Sequence, residues 1–172
     1  MPTSYVIRFD PERCVGIVDN EKQVSDLVNR WYGKKTGSSL VLEMVEIAYL
    51  LLKGRAEIEN DERISTLEGF MDKYYSCLKE FFWPRLVVYR DLRDRGRRVR
   101  VISDKEFLVR DKHGELRLVV VLEEGSRIPV EHIPGLLEKA IDNGLKLVFA
   151  IVSLQGDLTY YEVTGINPVN EV

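Results

Sequence analysis

Residues 86–110 read LVVYRDLRDRGRRVRVISDKEFLVR, and this stretch decides the fold of the second half of the chain. Apolar residues recur every three positions over residues 86–92, as they do along one face of a helix. Gly96 follows, where a helix commonly ends in a left-handed residue. From residue 98 to residue 101, arginine and valine alternate, which predicts a strand with one basic and one apolar face.

The residues that follow extend this pattern to a mixed sheet. A polar turn at residues 111–114 separates two short apolar segments, and an amphipathic segment at 129–143 predicts a helix that crosses between strands. A nearly continuous apolar run predicts a central strand that is covered on both faces. The predicted strands are 97–102, 107–109, 116–122, 145–152 and 158–163. The second half is therefore predicted as a helix, three strands, a helix and two strands.

The first half is predicted as a smaller α/β unit. Alternation predicts strands at 5–9 and 14–18, and apolar residues at spacings of three and four predict a helix at 21–32. Trp83 precedes a proline and is therefore disfavoured in the α conformation, which places a boundary between domains 1–83 and 84–172. The other predicted elements are a polar loop at 34–39, a helix at 40–53 capped by Ser38 or Ser39, a strand at 56–58 and a helix at 66–82.

The composition is typical of a folded, charged protein. The chain has 172 residues, of which 45% are hydrophobic and 31% are charged, enough for one large or two small cores. Its longest apolar runs, such as residues 147–152, are too short to cross a bilayer. No signal of basic and then apolar residues opens the chain, so the cytoplasm is the expected location.

Few residues in the sequence suit metal or cofactor chemistry. Cys14 and Cys77 lie far apart in sequence, and we expect small core side chains or free thiols. No cluster of His, Cys and Asp suggests zinc, and no glycine-rich phosphate loop is present. The predicted strands carry no paired carboxylates with a lysine for magnesium. We therefore expect neither a metal nor a cofactor.

Charge is distributed unevenly along the chain. The net charge is −3, yet residues 84–117 hold 11 Lys and Arg against 6 Asp and Glu, whereas residues 118–172 hold 3 against 8. The basic block suits either a phosphate-binding face or an ordinary solvated surface. The acidic block suits docking against a basic partner.

Three stretches resemble the archaeal tRNA-splicing endonuclease family. YRDLRDRG at 89–96 and LVFAIVSLQGDLTYYEV at 147–163 are similar to its catalytic domain, and LVLEMVEIAYLLLKGRAEI at 40–58 is similar to its N-terminal domain. The resemblance implies an α/β (α+β) fold, with a small N-terminal α/β domain before a C-terminal endonuclease-like domain. In that second domain helices flank a mixed sheet, as in restriction endonucleases. The implied function is removal of introns from precursor tRNA.

The family cuts RNA without a metal and uses a tyrosine, a histidine and a lysine. The reaction needs a base for the ribose 2′-hydroxyl, an acid for the leaving oxygen and a cation for the phosphate. By the resemblance, Arg110 stands at the tyrosine position and Gly114 (or Glu115) at the histidine position. Lys146 lies at the lysine position or one residue past it. Arginine cannot accept a proton at neutral pH, so we expect no catalytic residue, with Arg110, Gly114 and Lys146 as degenerate positions.

Some archaeal members of the family combine two catalytic with two structural subunits. The resemblance therefore implies a non-catalytic subunit of a two-plus-two heterotetramer, which acts on precursor tRNA with a catalytic paralogue and contacts no membrane. In the family an acidic loop before the last strand docks into a basic groove of the opposing subunit, and the last strand and the tail, here to Val172, pair with a partner. Ser153 replaces the usual aspartate of that loop. The corresponding interface residues are Leu154, Gln155, Gly156, Asp157, Tyr160, Tyr161 and Val163.

Two other functions remain open. A self-sufficient, metal-independent RNA endonuclease would use His113, which lies in the turn beside the histidine position, together with Lys146. A plain RNA-binding module would act through basic residues of the second half, with binding that depends steeply on salt. The candidates for RNA contact are Arg93, Arg97, Arg98, Arg100 and Lys146.

Overall fold

The structure, a computed structural model, describes residues 4–164. The first half of that range forms one sheet of order β3-β4-β2-β1-β5-β6, in which β1 and β5 are parallel and the other neighbours are antiparallel. A single 3₁₀ turn at Tyr75–Cys77 leads out of it. The elements are β1 (Tyr5–Asp10), β2 (Val15–Val18), α1 (Glu21–Asn29), β3 (Lys34–Thr36), β4 (Ser39–Leu42), α2 (Met44–Leu52), β5 (Ala56–Glu59), β6 (Arg63–Ile64) and α3 (Leu67–Lys73).

The second half forms a five-stranded mixed sheet of order β11-β10-β9-β8-β7. Strands β9 and β10 are parallel because a helix crosses between them, and the other neighbours are antiparallel. The elements are α4 (Phe82–Asp94), β7 (Arg98–Val101), β8 (Glu106–Arg110), β9 (Leu116–Glu123), α5 (His132–Asp142), β10 (Lys146–Val152) and β11 (Leu158–Val163). The mixed α/β class and the order of elements in this half confirm the prediction.

The two faces of the second sheet are covered by different helices. Val109 and Val148 are buried in the core under α4. Leu118 and Leu147 alternate with that set and pack with Ala140 of α5 on the other face. Side chains reverse direction at every residue of a strand, so register alone decides which face a functional residue occupies.

The cores of the two halves are continuous. The rings of Tyr49 in α2 and Tyr89 in α4 meet edge to face with centroids 5.6 Å apart, and Tyr49 Oη donates to Asp94 at 3.0 Å. Pro84 is buried in the first turn of α4, where its missing N–H costs no helical hydrogen bond. Helix α4 begins at Phe82, so Trp83 is helical despite the proline that follows it. The boundary between domains 1–83 and 84–172 stays a prediction.

The prediction for residues 34–53 is partly wrong. The polar loop and the start of the helix are instead the hairpin β3–β4, which turns through Gly37 at φ 63°. Leu40 and Leu42 are fully buried at a spacing of two, which suits a strand. Helix α2 begins only after Glu43, whose side chain and that of Glu46 form a reciprocal capping box.

The cysteines and the helix predicted at 66–82 also differ from expectation. Cys14 and Cys77 are not free thiols but form a disulfide, with Cα atoms 5.4 Å apart. Helix α3 ends at Lys73, and the chain then turns so that Cys77 meets the β1–β2 turn. The pairing depends on a contact between residues 63 positions apart, which spacing alone does not reveal.

Two kinds of feature were not found within residues 4–164. None of the helices there is long and apolar enough to cross a bilayer. In the same range, no three His, Cys, Asp or Glu side chains lie close enough together to hold a metal ion.

Candidate functional site

The β8–β9 turn contains two of the positions that the resemblance predicts to match catalytic side chains. Arg110 ends β8, and Gly114 lies in the turn with φ 85°, a conformation that L side chains rarely adopt. A Cβ on Gly114 would lie 3.5 Å from Nη2 of Arg110, so the arginine side chain folds back over the turn. The two positions are adjacent in space, and neither carries a group that exchanges protons at neutral pH.

Asp111 fixes the shape of this turn. Its Oδ1 accepts the backbone N–H groups of His113 and Glu115, both at 2.9 Å. Its Oδ2 lies 3.3 Å from Nη1 of Arg117 and 3.6 Å from Nη1 of Arg97. Desolvation would raise the pKa of Asp111, but these hydrogen bonds and guanidinium groups outweigh it and lower the pKa. Asp111 is therefore an ionised, structural residue, and His113 is exposed beside it.

Lys146 is engaged by carboxylates. Its ammonium lies 2.6 Å from Oε1 of Glu115 and 3.8 Å from Oε1 of Glu162. The hydrogen bond to Glu115 and its charge raise the pKa of Lys146. The cation is therefore retained, but its charge is balanced within the protein.

Arg110 and Lys146 lie on opposite faces of the sheet. Val109 packs under α4, so Arg110 faces the α5 side. Leu147 packs on the α5 side, so Lys146 faces the α4 side. Leu145, one residue earlier, packs with the α5-side cluster. Arg110 therefore shares its face of the sheet with Leu145 and not with Lys146, and which of these two residues corresponds to the family's lysine stays a prediction.

Arg93, a candidate for RNA contact, is engaged inside the protein. Its Nη1 donates to the carbonyl of Arg30 at 2.6 Å, and its Nη2 donates to the carbonyls of Trp31 at 3.0 Å and Val99 at 2.6 Å. Its guanidinium lies 3.8 Å from the ring centroid of Tyr32. These bonds join the end of α1 to α4 and β7. Contact between Arg93 and RNA stays a prediction, which this geometry does not favour.

Among the described residues, most other arginines of the basic block pair with carboxylates, but three of them do not. Arg97 pairs with Asp111, whereas Arg98 and Arg100 are exposed on the α5 side of β7. Arg98 lies directly opposite Arg110 in the β7–β8 ladder. For Arg98, Arg100 and Arg110, no carboxylate within the part of the chain that the structure describes lies at 4.0 Å or less. We call these three residues the arginine face.

The candidate interface residues lie on and beside β11, which is an edge strand. Leu154 is 77% exposed and Tyr161 is 56% exposed. Tyr160 faces the other way, and its hydroxyl donates to Asp91 of α4 at 2.7 Å. Val163 packs at the margin of the α5-side cluster. Residues 165–172, the tail expected to pair with a partner, lie outside the described residues.

The β10–β11 turn has more negative charge than its own sequence suggests. The N–H of Asp157 donates to Ser153 Oγ at 3.0 Å, and Gly156 takes φ 87° between Gln155 and Asp157. The N–H of Leu154 donates to Oε2 of Glu124 at 3.2 Å. Glu124 comes from the segment after β9, so sequence reasoning missed the second carboxylate of this turn.

A basic groove lies between the edge strands β3 and β7 and has a volume of about 690 Å³. Arg13, Lys34, Lys35 and Arg100 line it, and none of them has a carboxylate within 4.0 Å among residues 4–164. We call it the basic groove. It is assembled from distant segments, so no local sequence pattern predicts it.

Glu46 lies at the inner wall of the basic groove and is 1% exposed. Its Oε1 accepts the N–H of Gly33 and its Oε2 accepts the N–H of Glu43, both at 2.8 Å. Burial raises the pKa of Glu46 to about 7, although both hydrogen bonds oppose the shift. This carboxyl group therefore changes protonation near neutral pH.

Comparison with known proteins places the chain in a family. The model of the tRNA intron endonuclease N-terminal domain matches residues 7–71, and the model of the catalytic C-terminal domain matches residues 82–160. A tRNA-splicing endonuclease of Thermococcus kodakarensis is 32% identical over 154 residues, which cover 86% of this chain and 90% of the relative. One from Pyrococcus furiosus is 33% identical over 152 residues, 84% of this chain and 88% of the relative.

A longer relative shows the same similarity over part of its length. The tRNA-splicing endonuclease of Methanococcoides burtonii is 27% identical over 153 residues, and the matched part is 43% of that protein. Both domain models match in order, and the matches to the shorter relatives extend over most of both chains. The chain therefore belongs to the tRNA intron endonuclease family.

Proposed function

We propose that this chain is a non-catalytic structural subunit of a tRNA-splicing endonuclease, which assembles with a related catalytic subunit to remove introns from precursor tRNA. The observation that carries the proposal is that Arg110 and Lys146 project from opposite faces of the sheet. Gly114, which the resemblance matches to the family's histidine, has no side chain. Cleavage needs a proton acceptor and a proton donor at one phosphate. Arg110 and Gly114 supply neither, although the family's scaffold is retained.

The proposed assembly uses the outer edge of β11. An edge strand presents unpaired backbone groups to which another strand can add. Tyr161 and Leu154 offer exposed apolar surface beside that edge, and aromatic side chains are enriched at the centres of interfaces. Pairing with a catalytic paralogue in this way is compatible with a two-plus-two tetramer.

Charge supports a second contact in the same assembly. Asp157 and Glu124 make the β10–β11 turn acidic, so it suits a basic groove on an opposing subunit. The basic groove of this chain would in turn accept the acidic loop of a partner through Arg13, Lys34 and Lys35. Complementary potentials of this kind select partners and speed their encounter.

Cleavage of an intron-containing precursor tRNA tests the proposal. The substrate is incubated with this chain alone, with a candidate catalytic paralogue alone and with the two co-purified. We expect cleavage only by the co-purified subunits.

Cleavage by this chain alone would overturn the proposal. Its loss in His113→Ala, but not in the matched His132→Ala variant, would instead establish the self-sufficient enzyme. His132 is exposed at the start of α5 and is the other histidine of the chain.

A further inference from the structure

We propose that the arginine face binds phosphate groups of the precursor RNA backbone. The inference rests on the proposed function, because it gives a subunit without catalytic groups a direct contact with the RNA that the complex cuts. It also assigns a role to Arg110, which stands where the family has its tyrosine. Arg93 and Lys146 are left out of the binding set, because carbonyls and carboxylates of the protein already engage them.

Register places the three arginines together. Arg98 and Arg110 are directly paired across β7 and β8, which puts their Cβ atoms about 5 Å apart. Arg100 is two residues along the same strand and therefore on the same face, about 7 Å away. Val99 and Val109 alternate with them and are buried on the opposite face. All three guanidinium groups thus extend from one rigid patch of sheet.

The charge of this patch is not balanced by the protein. Like charges directly opposite each other destabilise a sheet, and the described residues place no carboxylate within 4.0 Å of the three side chains. Arg97 and Arg117 provide a contrast, because both pair with Asp111 on the other side of the sheet. The chain as a whole has a net charge of −3, so the patch is a local concentration of positive charge on a negatively charged protein. A bound polyanion would remove the repulsion.

Arg110 and Gly114, at the positions matched to the family's tyrosine and histidine, both suit a site that binds phosphate without cleaving RNA. A Cβ on Gly114 would already be in van der Waals contact with Arg110 Nη2 at 3.5 Å, and the backbone there has φ 85°. A histidine at residue 114 would need the space over the turn that the guanidinium occupies. Glycine at residue 114 leaves the Arg110 guanidinium free to lie over the turn, and neither residue has a group that could exchange a proton with the phosphate.

Guanidinium chemistry suits this ligand. Arginine presents parallel N–H donors that match two phosphate oxygens, and it stays charged at every physiological pH. The guanidinium of Arg100 lies 5.1 Å from the ring centroid of Trp31, which restrains its orientation without using its outer donors. Three such groups on one face of two neighbouring strands suit the phosphates of a nucleic-acid backbone.

Binding of a fluorescent bulge–helix–bulge RNA hairpin tests the inference. Anisotropy titrations between about 50 and 300 mM salt give the slope of the logarithm of the binding constant against the logarithm of the salt concentration. The magnitude of this slope decreases by about 0.9 for each phosphate that the protein no longer neutralises. They are run on the full chain alone and on the co-purified complex. We expect Arg98→Gln with Arg110→Gln to reduce the slope by about two and the affinity at least tenfold.

The matched control is Arg90→Gln with Arg95→Gln. These arginines are exposed on α4 and paired with Asp94 and Asp91, so the net charge changes equally outside the arginine face. We expect the control to keep the slope of the unchanged protein, and thermal melts monitored by circular dichroism to show that both variants are folded.

Three outcomes would overturn the inference. One is equal slopes for the two double variants, and another is no salt-dependent RNA binding by the unchanged protein. A third is normal RNA binding by the Arg98 and Arg110 variant with loss of the tetramer, which would assign the face to a protein partner. The cleavage experiment judges the subunit proposal separately, because the slopes are measured whether or not this chain cleaves RNA alone.

Discussion

The arginines of the YRDLRDRG helix look alike in sequence but have different roles. Arg90 and Arg95 are exposed and pair with carboxylates four residues away on α4, contacts that contribute little to stability. Arg93 instead donates to carbonyls beyond the end of α1 and in β7. Helix ends leave carbonyl groups without partners, so Arg93 supplies donors that the backbone itself cannot.

We expect Arg93→Met to lower the free energy of unfolding by about 3 kcal/mol, because several carbonyls lose a charged donor. Urea denaturation followed by circular dichroism measures the change. Arg90→Met, on the same helix, should stay within about 0.5 kcal/mol of the unchanged protein. Equal losses in the two variants would mean that Arg93 is an ordinary surface residue.

Glu46 makes the stability of the folded protein decrease as pH rises, which is unusual for a carboxylate. The folded pKa of about 7 lies above the ordinary value of 4.5, so the folded state binds the proton more tightly than the unfolded chain does. The stability from this group is complete below about pH 4.5 and is lost as pH rises through 7. The loss is up to about 3 kcal/mol.

We therefore expect the melting temperature to fall between about pH 5 and pH 8, and Glu46→Gln to flatten the fall. Calorimetric scans across that range measure it. Glutamine keeps one acceptor for the N–H groups of Gly33 and Glu43 but cannot ionise. A variant that retains the full slope would place the titrating group elsewhere.

At the scale of elements, the disulfide joins two turns that the sheets alone would leave apart. Cys14 lies after β1, and Cys77 lies in the 3₁₀ turn before α4. Disulfides are rare in the cytosol but common in intracellular proteins of hyperthermophilic archaea. The bond is therefore not by itself an argument against a cytoplasmic location, which stays a prediction.

Replacing both cysteines with serine should lower the free energy of unfolding by about 4 kcal/mol, because the bond closes a loop of more than 60 residues in the unfolded chain. Guanidinium denaturation with and without dithiothreitol measures it. Reduced native protein should match the double variant. If the reductant changes nothing in the native protein, the bond does not form in solution.

The elements show which parts of the fold the sequence can predict. Strands β7–β11 are predictable because buried and exposed residues alternate in them or run apolar between two helices. Strand β4 is missed because its residues run into the apolar helix α2, and helix propensity hides the spacing of two at Leu40 and Leu42. Glu43 is not one of the usual N-cap residues, so the capping box that it forms with Glu46 gives no clear sign in the sequence of where α2 begins.

The candidate site, like the fold, can be predicted from the sequence only in part. That Arg110 cannot exchange a proton at neutral pH follows from residue type alone. The face on which Lys146 lies needs the parallel register of β9 and β10, because a shift of one residue reverses it. The roles of Arg93 and Glu124 depend on contacts with residues 30 to 63 positions away, which no local pattern contains.

For the whole molecule, the most informative feature is the separation of opposite charges. The acidic β10–β11 turn lies at one edge of the second sheet, and the basic groove lies beside the opposite edge, at β7. The acidic turn and the basic groove lie at opposite edges of the sheet, so they cannot contact each other within one chain. Related subunits arranged in a ring can bring the acidic turn of one subunit to the basic groove of the next.

We expect Asp157→Lys with Glu124→Lys to weaken the proposed tetramer at least tenfold, because the proposed contact of the acidic turn with a basic groove would become repulsive. Sedimentation velocity over a dilution series measures the dissociation. Asp61→Lys, in the β5–β6 turn of the first sheet, is a control of the same chemistry on a remote surface. Unchanged sedimentation of the double variant would remove the docking of this turn.

The disulfide also changes what proteolysis can reveal. The exposed turn between β3 and β4, at Gly37 and Ser38, is a natural site for a protease, and it lies inside the loop that Cys14 and Cys77 close. A chain cut there stays in one covalent piece. On a non-reducing gel such a nicked preparation would migrate close to the intact protein, and two fragments would separate only after reduction.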